Sequence, residues 1–345
     1  MSAISTTEPG APRANATRLL LGVVVGATAL VIVMLCAFVL PAARGGPHDV
    51  PIGVAGPAQA TGAVQSRLPA DAWDVHAYPD AQALRQAIRE REVLGGLALG
   101  ADGLTVYTAT AGGQQATAAI TALGQSIAAQ QQAKVTVEDV VPFPADDPRG
   151  AGFAASLFPL IIGGVLPAVL LLRLFPGRAN LRRRVAGVIL FALVAGASVA
   201  AVLQYGFGSL GGDYWLTALG LSLGIAALSI PLLALESLFG LPGLGLGAAV
   251  MVLLGNPLSG ISGPNWLPSG WAALGQLLPP GASGSHMRAN AFFGGTGAGG
   301  PALTLGVWVL AGLLVILISD AAAPSVDAPV RHASGGARPP HPRHR

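Results

Sequence analysis

The residues that could do chemistry are few and scattered. Lys134 is the single lysine of the chain and Val135 follows it. A Walker-type phosphate loop needs a lysine followed by Ser or Thr to hold phosphate and magnesium, so that kind of ATP site is excluded. Cys36 is the single cysteine and sits inside an apolar run, which leaves no disulfide framework and no thiolate cluster. His48 and His76 have no second ligand at metal spacing, and surface or packing roles suit them better. Asp146 and Asp147 adjoin in a Pro-rich linker and read as a solvated membrane-proximal loop, because acid–base catalysis needs positioned partners. The sequence therefore predicts no catalytic, cofactor or metal site, and a protein that is not an enzyme.

The elements around these residues point to lipid. Of 345 residues 52% are hydrophobic and 10% charged, against about 25% charged in a soluble globule. Leu19 to Leu40 is a run of 22 uncharged residues, long enough to cross a hydrocarbon core of about 30 Å. An uncleaved anchor fits it better than a signal peptide, whose apolar core spans only about 7 to 15 residues. Further apolar runs cover Phe153 to Leu172, Val185 to Leu203, Leu216 to Leu235, Leu238 to Leu254 and Leu303 to Ser319. The expectation is a polytopic α-helical membrane protein with six transmembrane helices. The fifth, which holds Pro242 and several glycines, is the one that could be re-entrant.

Arginines orient this scheme, since short cytoplasmic segments are enriched in them. Arg13 and Arg18 precede the first run, Arg178, Arg182, Arg183 and Arg184 separate the second from the third, and Arg331, Arg338, Arg343 and Arg345 fill the tail. Both termini are thus expected in the cytoplasm of a bacterial-type inner (plasma) membrane. The arginines adjoin apolar runs instead of forming an aromatic-interleaved stripe, so nucleic acid is not an expected partner, whereas membrane lipids are. No Asp, Glu, Lys or His falls near the middle of a span, which disfavours an ion-coupled carrier.

Between the first and second runs lies a soluble-type insert with 11 acidic and 7 basic residues, expected to be a small extracytoplasmic α/β domain. Val50, Ile52 and Val54 alternate, as do Trp73, Val75 and Ala77, at strand period. A helix capped by Asp80 carries Leu84, Ala87 and Ile88 on one face up to about Glu92. Strands follow at Val93 to Leu99 and Leu104 to Thr108, joined by a hairpin at Gly100 to Gly103; then come a helix over Gln114 to Gln131 and a last strand from Val135. The segments are 1–18 (cytoplasmic), 19–40 (first span), 41–152 (inserted domain), 153–319 (five-helix membrane domain) and 320–345 (disordered basic cytoplasmic tail).

Within the membrane domain, 255–301 is semi-apolar but broken by Gly and Pro, with Trp266, Trp271, Phe292 and Phe293 interleaved. One reading is an interfacial loop. The sharper one is a re-entrant outer element involving Asn256, Pro257, Gly260, Pro268, Trp271, Pro279, Pro280 and Gly281. In it Leu267 to Leu278 forms a short helix, and Pro279-Pro280-Gly281 turns the chain back. The Gly284-Ser285-His286-Met287 tetrapeptide carries no assigned role. His341 and His344 in the tail could bind metal adventitiously, and the tail arginines suit anionic lipid.

The order of one helix, an α/β insert and five helices resembles the membrane subunits of ABC-2 type transporters, in particular the actinobacterial ABC-2 permease-like and YhgE/Pip-like group. So do YPDAQALRQAIREREVLGGLAL (Tyr78 to Leu99), GNPLSG (Gly255 to Gly260), LPSGWAALGQLLPPGA (Leu267 to Ala282) and AFFGG (Ala291 to Gly295). The resemblance implies a permease subunit that pairs as a homodimer or with a similar permease, binds a cytoplasmic ABC ATPase and exports a substrate. ATP would be bound by the partner and none by this chain. It also implies that Arg178, Arg182, Arg183 and Arg184 form the cytoplasmic coupling loop. Uncharged spans favour a lipidic or amphiphilic cargo. The alternative is an ATPase-independent binding, scaffold or envelope-assembly protein anchored by its helices.

Overall fold

The computed structural model describes residues 13–44, 46–100, 103–255, 263–268 and 270–321. After helix α1 (Arg13–Arg44) come β1 (Val50–Ala55), α2 (Ala58–Gln65), β2 (Trp73–Tyr78), α3 (Ala81–Arg89), β3 (Gly95–Gly100), β4 (Gly103–Thr108), α4 (Gln114–Gln131) and β5 (Val135–Asp139). The strands form one sheet in the order β2-β1-β3-β4-β5. Pairing is parallel except for the β3/β4 hairpin, where Gly96 faces Tyr107 and Leu97 faces Val106.

Strand alternation sends two sets of side chains to opposite faces. Val50, Ile52, Val54, Leu97 and Val106 meet Ile120 and Ala128 of α4, while Ala55 and Tyr107 meet Leu84, Ala87 and Ile88 of α3. Asp80 starts α3 by accepting from the amides of Gln82 and Ala83, each at 2.8 Å. Arg85 of α3 makes a two-pronged pair with Glu138 of β5, at 2.9 and 2.8 Å. These hydrogen bonds hold the Glu138 carboxyl below its usual range. The strand at 93–99 starts two residues later than its sequence pattern, and positions 101 and 102 of the expected hairpin lie outside the described residues.

The second half is a helix bundle: α5 (Ala151–Leu174), α6 (Leu181–Ala201), α7 (Tyr214–Phe239), α8 (Leu241–Ala249), α9 (Trp271–Leu277), α10 (Pro279–Phe292) and α11 (Gly299–Ala321). Among the described residues four helices are long and apolar enough to cross a membrane: Ala151–Leu174, Leu181–Gly206 (α6 extended by a π-turn), Tyr214–Phe239 and Gly299–Ala321. Leu20–Cys36 and Leu241–Leu253 are shorter apolar stretches. The apolar run at 238–254 is not one helix. Its first two residues end α7, Gly240 breaks the chain at φ +66°, and α8 passes into a π-turn at Val250–Leu254.

Helix α7 is the hub. Its apolar window is 78% buried, against 28%, 22% and 17% for α5, α6 and α11, whose outer faces expose Phe158, Leu190, Leu310 and Leu317. Such apolar surface is stable only against lipid or another protein. Close approach to the hub depends on small residues: a Cβ on Gly164 would strike Leu228, and one on Gly312 would strike Ile230.

Candidate functional site

Among the described residues, one buried arginine stands at each end of the bundle. At the end away from the sheet, Arg184 of α6 is 2% exposed. It donates to Glu236 of α7 at 2.6 Å, to the Phe175 carbonyl at 2.9 Å and to the Gly177 carbonyl at 2.7 Å. Phe175 caps the end of α5, and Gly177, whose carbonyl also accepts from the Asn180 amide, lies in the link to α6. Arg184, expected in the cytoplasmic coupling loop, is thus turned into the bundle as a clamp across α5, α6 and α7. Arg182 is exposed, 3.5 Å from Asp320 of α11, and Arg183 donates to Asn180 at 3.1 Å. Arg178 opens a short 3-10 turn before α6.

At the sheet end, α10 links the domain to the bundle. Pro279 and Pro280 occupy its first positions and Gly281 follows; all three are buried. The chain reverses between α9 and α10, at the place expected for the turn-back, and Pro279-Pro280-Gly281 open the returning helix, for which proline is suited because it lacks only an amide that would have no partner. The break with α9 falls beside Gly275, whose carbonyl a Cβ on Gly281 would strike. Trp271 begins α9, its amide held by the Pro268 carbonyl at 3.0 Å. The short helix predicted at 267–278 is therefore confined to Trp271–Leu277. Asn256, Pro257 and Gly260 lie outside the described residues.

From this start α10 runs along α7 towards the sheet. The ladder of contacts follows: a Cβ on Gly224 would meet Ser283, one on Gly220 would meet His286 and Asn290, and Asn290 donates to the Leu216 carbonyl at 3.0 Å. Gly224 is ten residues into α7, so Ser283 sits about 15 Å below the sheet end of that helix and the start of α10, four residues earlier, about one turn deeper. His286 faces the Ala298 carbonyl through Nδ1 and Asn290 through Nε2, each at 3.2 Å. Within Gly284-Ser285-His286-Met287, Ser285 donates to Gln276 of α9 at 2.6 Å, His286 packs beside Gly220 of α7, and Met287 is buried.

The C-terminal turn of α10 reaches the domain. Arg288, 8% exposed, donates to the Ala111 carbonyl at 2.7 Å and lies 4.7 Å over the Phe153 ring. Phe292 meets Phe143 and Phe153 edge-on at 5.2 and 5.5 Å, and Phe293 carries Arg91 of the domain 5.0 Å above its ring. Gly294 and Gly295, at φ +57° and +87°, stop the helix so that the Gly295 amide closes on the Ala289 carbonyl at 2.9 Å. Asn265 adds a second strap, donating to the His48 and Asp49 carbonyls at 3.2 and 3.1 Å. Asp147 caps α5 by accepting from the Ala151 and Gly152 amides, both at 2.8 Å, so one of the acidic pair is a helix cap.

Between these contacts lies a cavity of about 220 Å³, lined among others by Arg91, Arg288, Gly112, Gly113, Asn265 and Ser285. Burial pushes the Arg91 guanidinium below its usual value. Burial and then the Arg91 charge push Arg288, outside the four long apolar helices, down to about 10. Both remain cations at neutral pH. Neither Arg91 nor Arg288 stands out in the sequence as a binding residue. Among the described residues no three His, Cys, Asp or Glu side chains come together as a metal site. No family model, curated protein or solved structure matches the chain.

Proposed function

We propose that the chain is the membrane (permease) subunit of an ABC-2 type exporter, with ATP hydrolysed on a partner subunit and a lipidic or amphiphilic cargo. In this reading α1 and the α8 segment join the four long helices to make six spans. Both termini and the Arg178 to Arg184 turn face the cytoplasm of the cell membrane, and the α/β domain lies outside.

The observation that carries the reading is helix α10, which starts at mid-height against α7 beside an apolar crevice. The crevice runs between α5 and α7, lined by Leu157, Ile161, Leu221, Leu228, Pro280 and Met287, and its volume is about 20 Å³, room for a single water. Widening it by rocking α5 away from the α7–α10 pair would open an apolar path whose wall is a helix tied directly to the outer domain. Such a movement needs outside work, and a pair of these subunits driven by a cytoplasmic ATPase would supply it.

The test is purification of the full chain in mild detergent, with mass spectrometry of co-purifying proteins and ATPase assay of the complex. An ABC ATPase should be recovered and should be lost on changing Arg182 and Arg183 to Glu. Arg184 stays untouched, because its burial would confound loss of coupling with loss of fold. Recovery of intact protein with no ATPase would favour the membrane-anchored binding or scaffold role.

A further inference from the structure

We propose that the junction cavity between the α/β domain and α10 binds a phosphate group, supplied either by an anionic lipid headgroup or by a soluble phosphate. The cavity gathers positive potential from three parts of the chain. Arg91 comes from the loop after α3, Arg288 from α10, and the N-cap Gly113 with Ala116 marks the N-terminal end of α4, an 18-residue helix with no side-chain cap. The first amides of a helix have no partner within it and carry the positive end of its dipole, so they point donors at an anion. No Asp or Glu stands among the lining residues described.

The remaining wall is apolar and includes Leu94, Phe153 and Leu157. That combination, two planar guanidiniums and backbone amides over a partly apolar floor, matches a phosphate ester better than a carboxylate or a bare halide. A guanidinium can present parallel donors to two oxygens of one phosphate. The volume of about 220 Å³ far exceeds the ~10–15 Å³ that holds one water. Two guanidiniums facing one space repel each other, and an anion between them removes that repulsion. The same anion would bridge Arg91 of the domain and Arg288 of the bundle, so binding should tighten the junction.

The experiment uses the full chain in mild detergent, free of added anions, and follows thermal unfolding while one of three additives is titrated: phosphatidylglycerol, phosphatidylcholine or inorganic phosphate. Phosphatidylglycerol raising the midpoint with phosphatidylcholine inert assigns a lipid headgroup, and inorganic phosphate alone doing so assigns a soluble phosphate. In either case Arg91→Gln, at a half-buried site, should weaken the apparent affinity about tenfold or more. Arg67→Gln, on the far side of the domain, should leave it unchanged. No stabilisation by any additive, or an equal response from Arg91→Gln, overturns the site. Arg288→Gln is a second variant only if its unliganded midpoint matches the parent, since Arg288 also holds the Ala111 carbonyl.

Discussion

The bundle solves the same problem, a buried guanidinium, differently at its two ends. Arg184 is met by a carboxylate and two carbonyls of the α5–α6 link within one bundle, a closed arrangement. Arg288 is met by the carbonyl of another domain and by a ring face, next to an open cavity that also holds Arg91. The difference teaches that burial alone does not assign a role to an arginine. A guanidinium whose charge is answered inside its own bundle is a fastener, and one placed across a boundary beside empty space can take part in binding.

The largest effect expected is at the closed end. Glu236→Ala leaves Arg184 buried without its carboxylate and should cost about 3 to 5 kcal/mol, read as a fall in the denaturation midpoint of the detergent-solubilised chain. Replacing both partners with apolar residues, Arg184→Met with Glu236→Leu, should restore most of it. A double variant as weak as the single one would mean that the carbonyl bonds, and not the charge pair, hold this end. At the open end Arg288→Ala should cost about 2 to 4 kcal/mol, from a charged hydrogen bond and a desolvated ring contact. Its signature is local: amides around Ala111 should exchange hydrogen faster while those of α7 keep their protection.

Between these ends, Gly281→Ala drives a methyl at the Gly275 carbonyl and should cost about 1 to 3 kcal/mol by overpacking. A neutral outcome would show that the α9–α10 break is looser than the structure has it. Smaller still is the exposed Arg85–Glu138 pair, whose loss by Arg85→Ala should cost about 0.2 to 1 kcal/mol. Because the folded Glu138 carboxyl is lowered, that contribution is complete above the ordinary carboxylate range and vanishes as pH falls through the lowered value. Unfolding of parent and variant at neutral and acidic pH checks both size and sign. Arg182→Ala should leave stability unchanged within error, since its partner Asp320 is 3.5 Å away and its own side chain is 90% exposed.

The α/β domain was the more legible half because its signals are local. Alternation marks β1 and β2, Asp80 marks the start of α3, and Gln114–Gln131 is both the predicted and the observed helix. The membrane half was legible only where runs are long and apolar. Helix α10 escapes such a reading because PPGASGSHMRANAF has no apolar face; it is buried by the closeness that its small residues allow, which periodicity does not record. Two adjacent prolines signal a turn as strongly as a helix start, and here they do both: the chain reverses at Leu278, extended at φ -88° and ψ 145°, and the prolines open the returning helix. Arg184 looked like its neighbours Arg182 and Arg183 because the chain shows four loop arginines, not the carbonyls that one of them reaches. The coupling of Arg91 to Arg288 spans two distant segments and left no trace in spacing.

The straps between domain and bundle join residues far apart along the chain: Ala111 with Arg288 is separated by 177 positions, Arg91 with Thr296 by 205 and His48 with Asn265 by 217. A ribosome adding about 5 to 20 residues per second needs roughly 10 to 35 s to cover the shortest of these intervals. The sheet is therefore completed long before anything exists for it to rest on. Docking is then a late event in the protein's birth, and the junction cavity comes into being only once the stretch preceding the final long helix has been made.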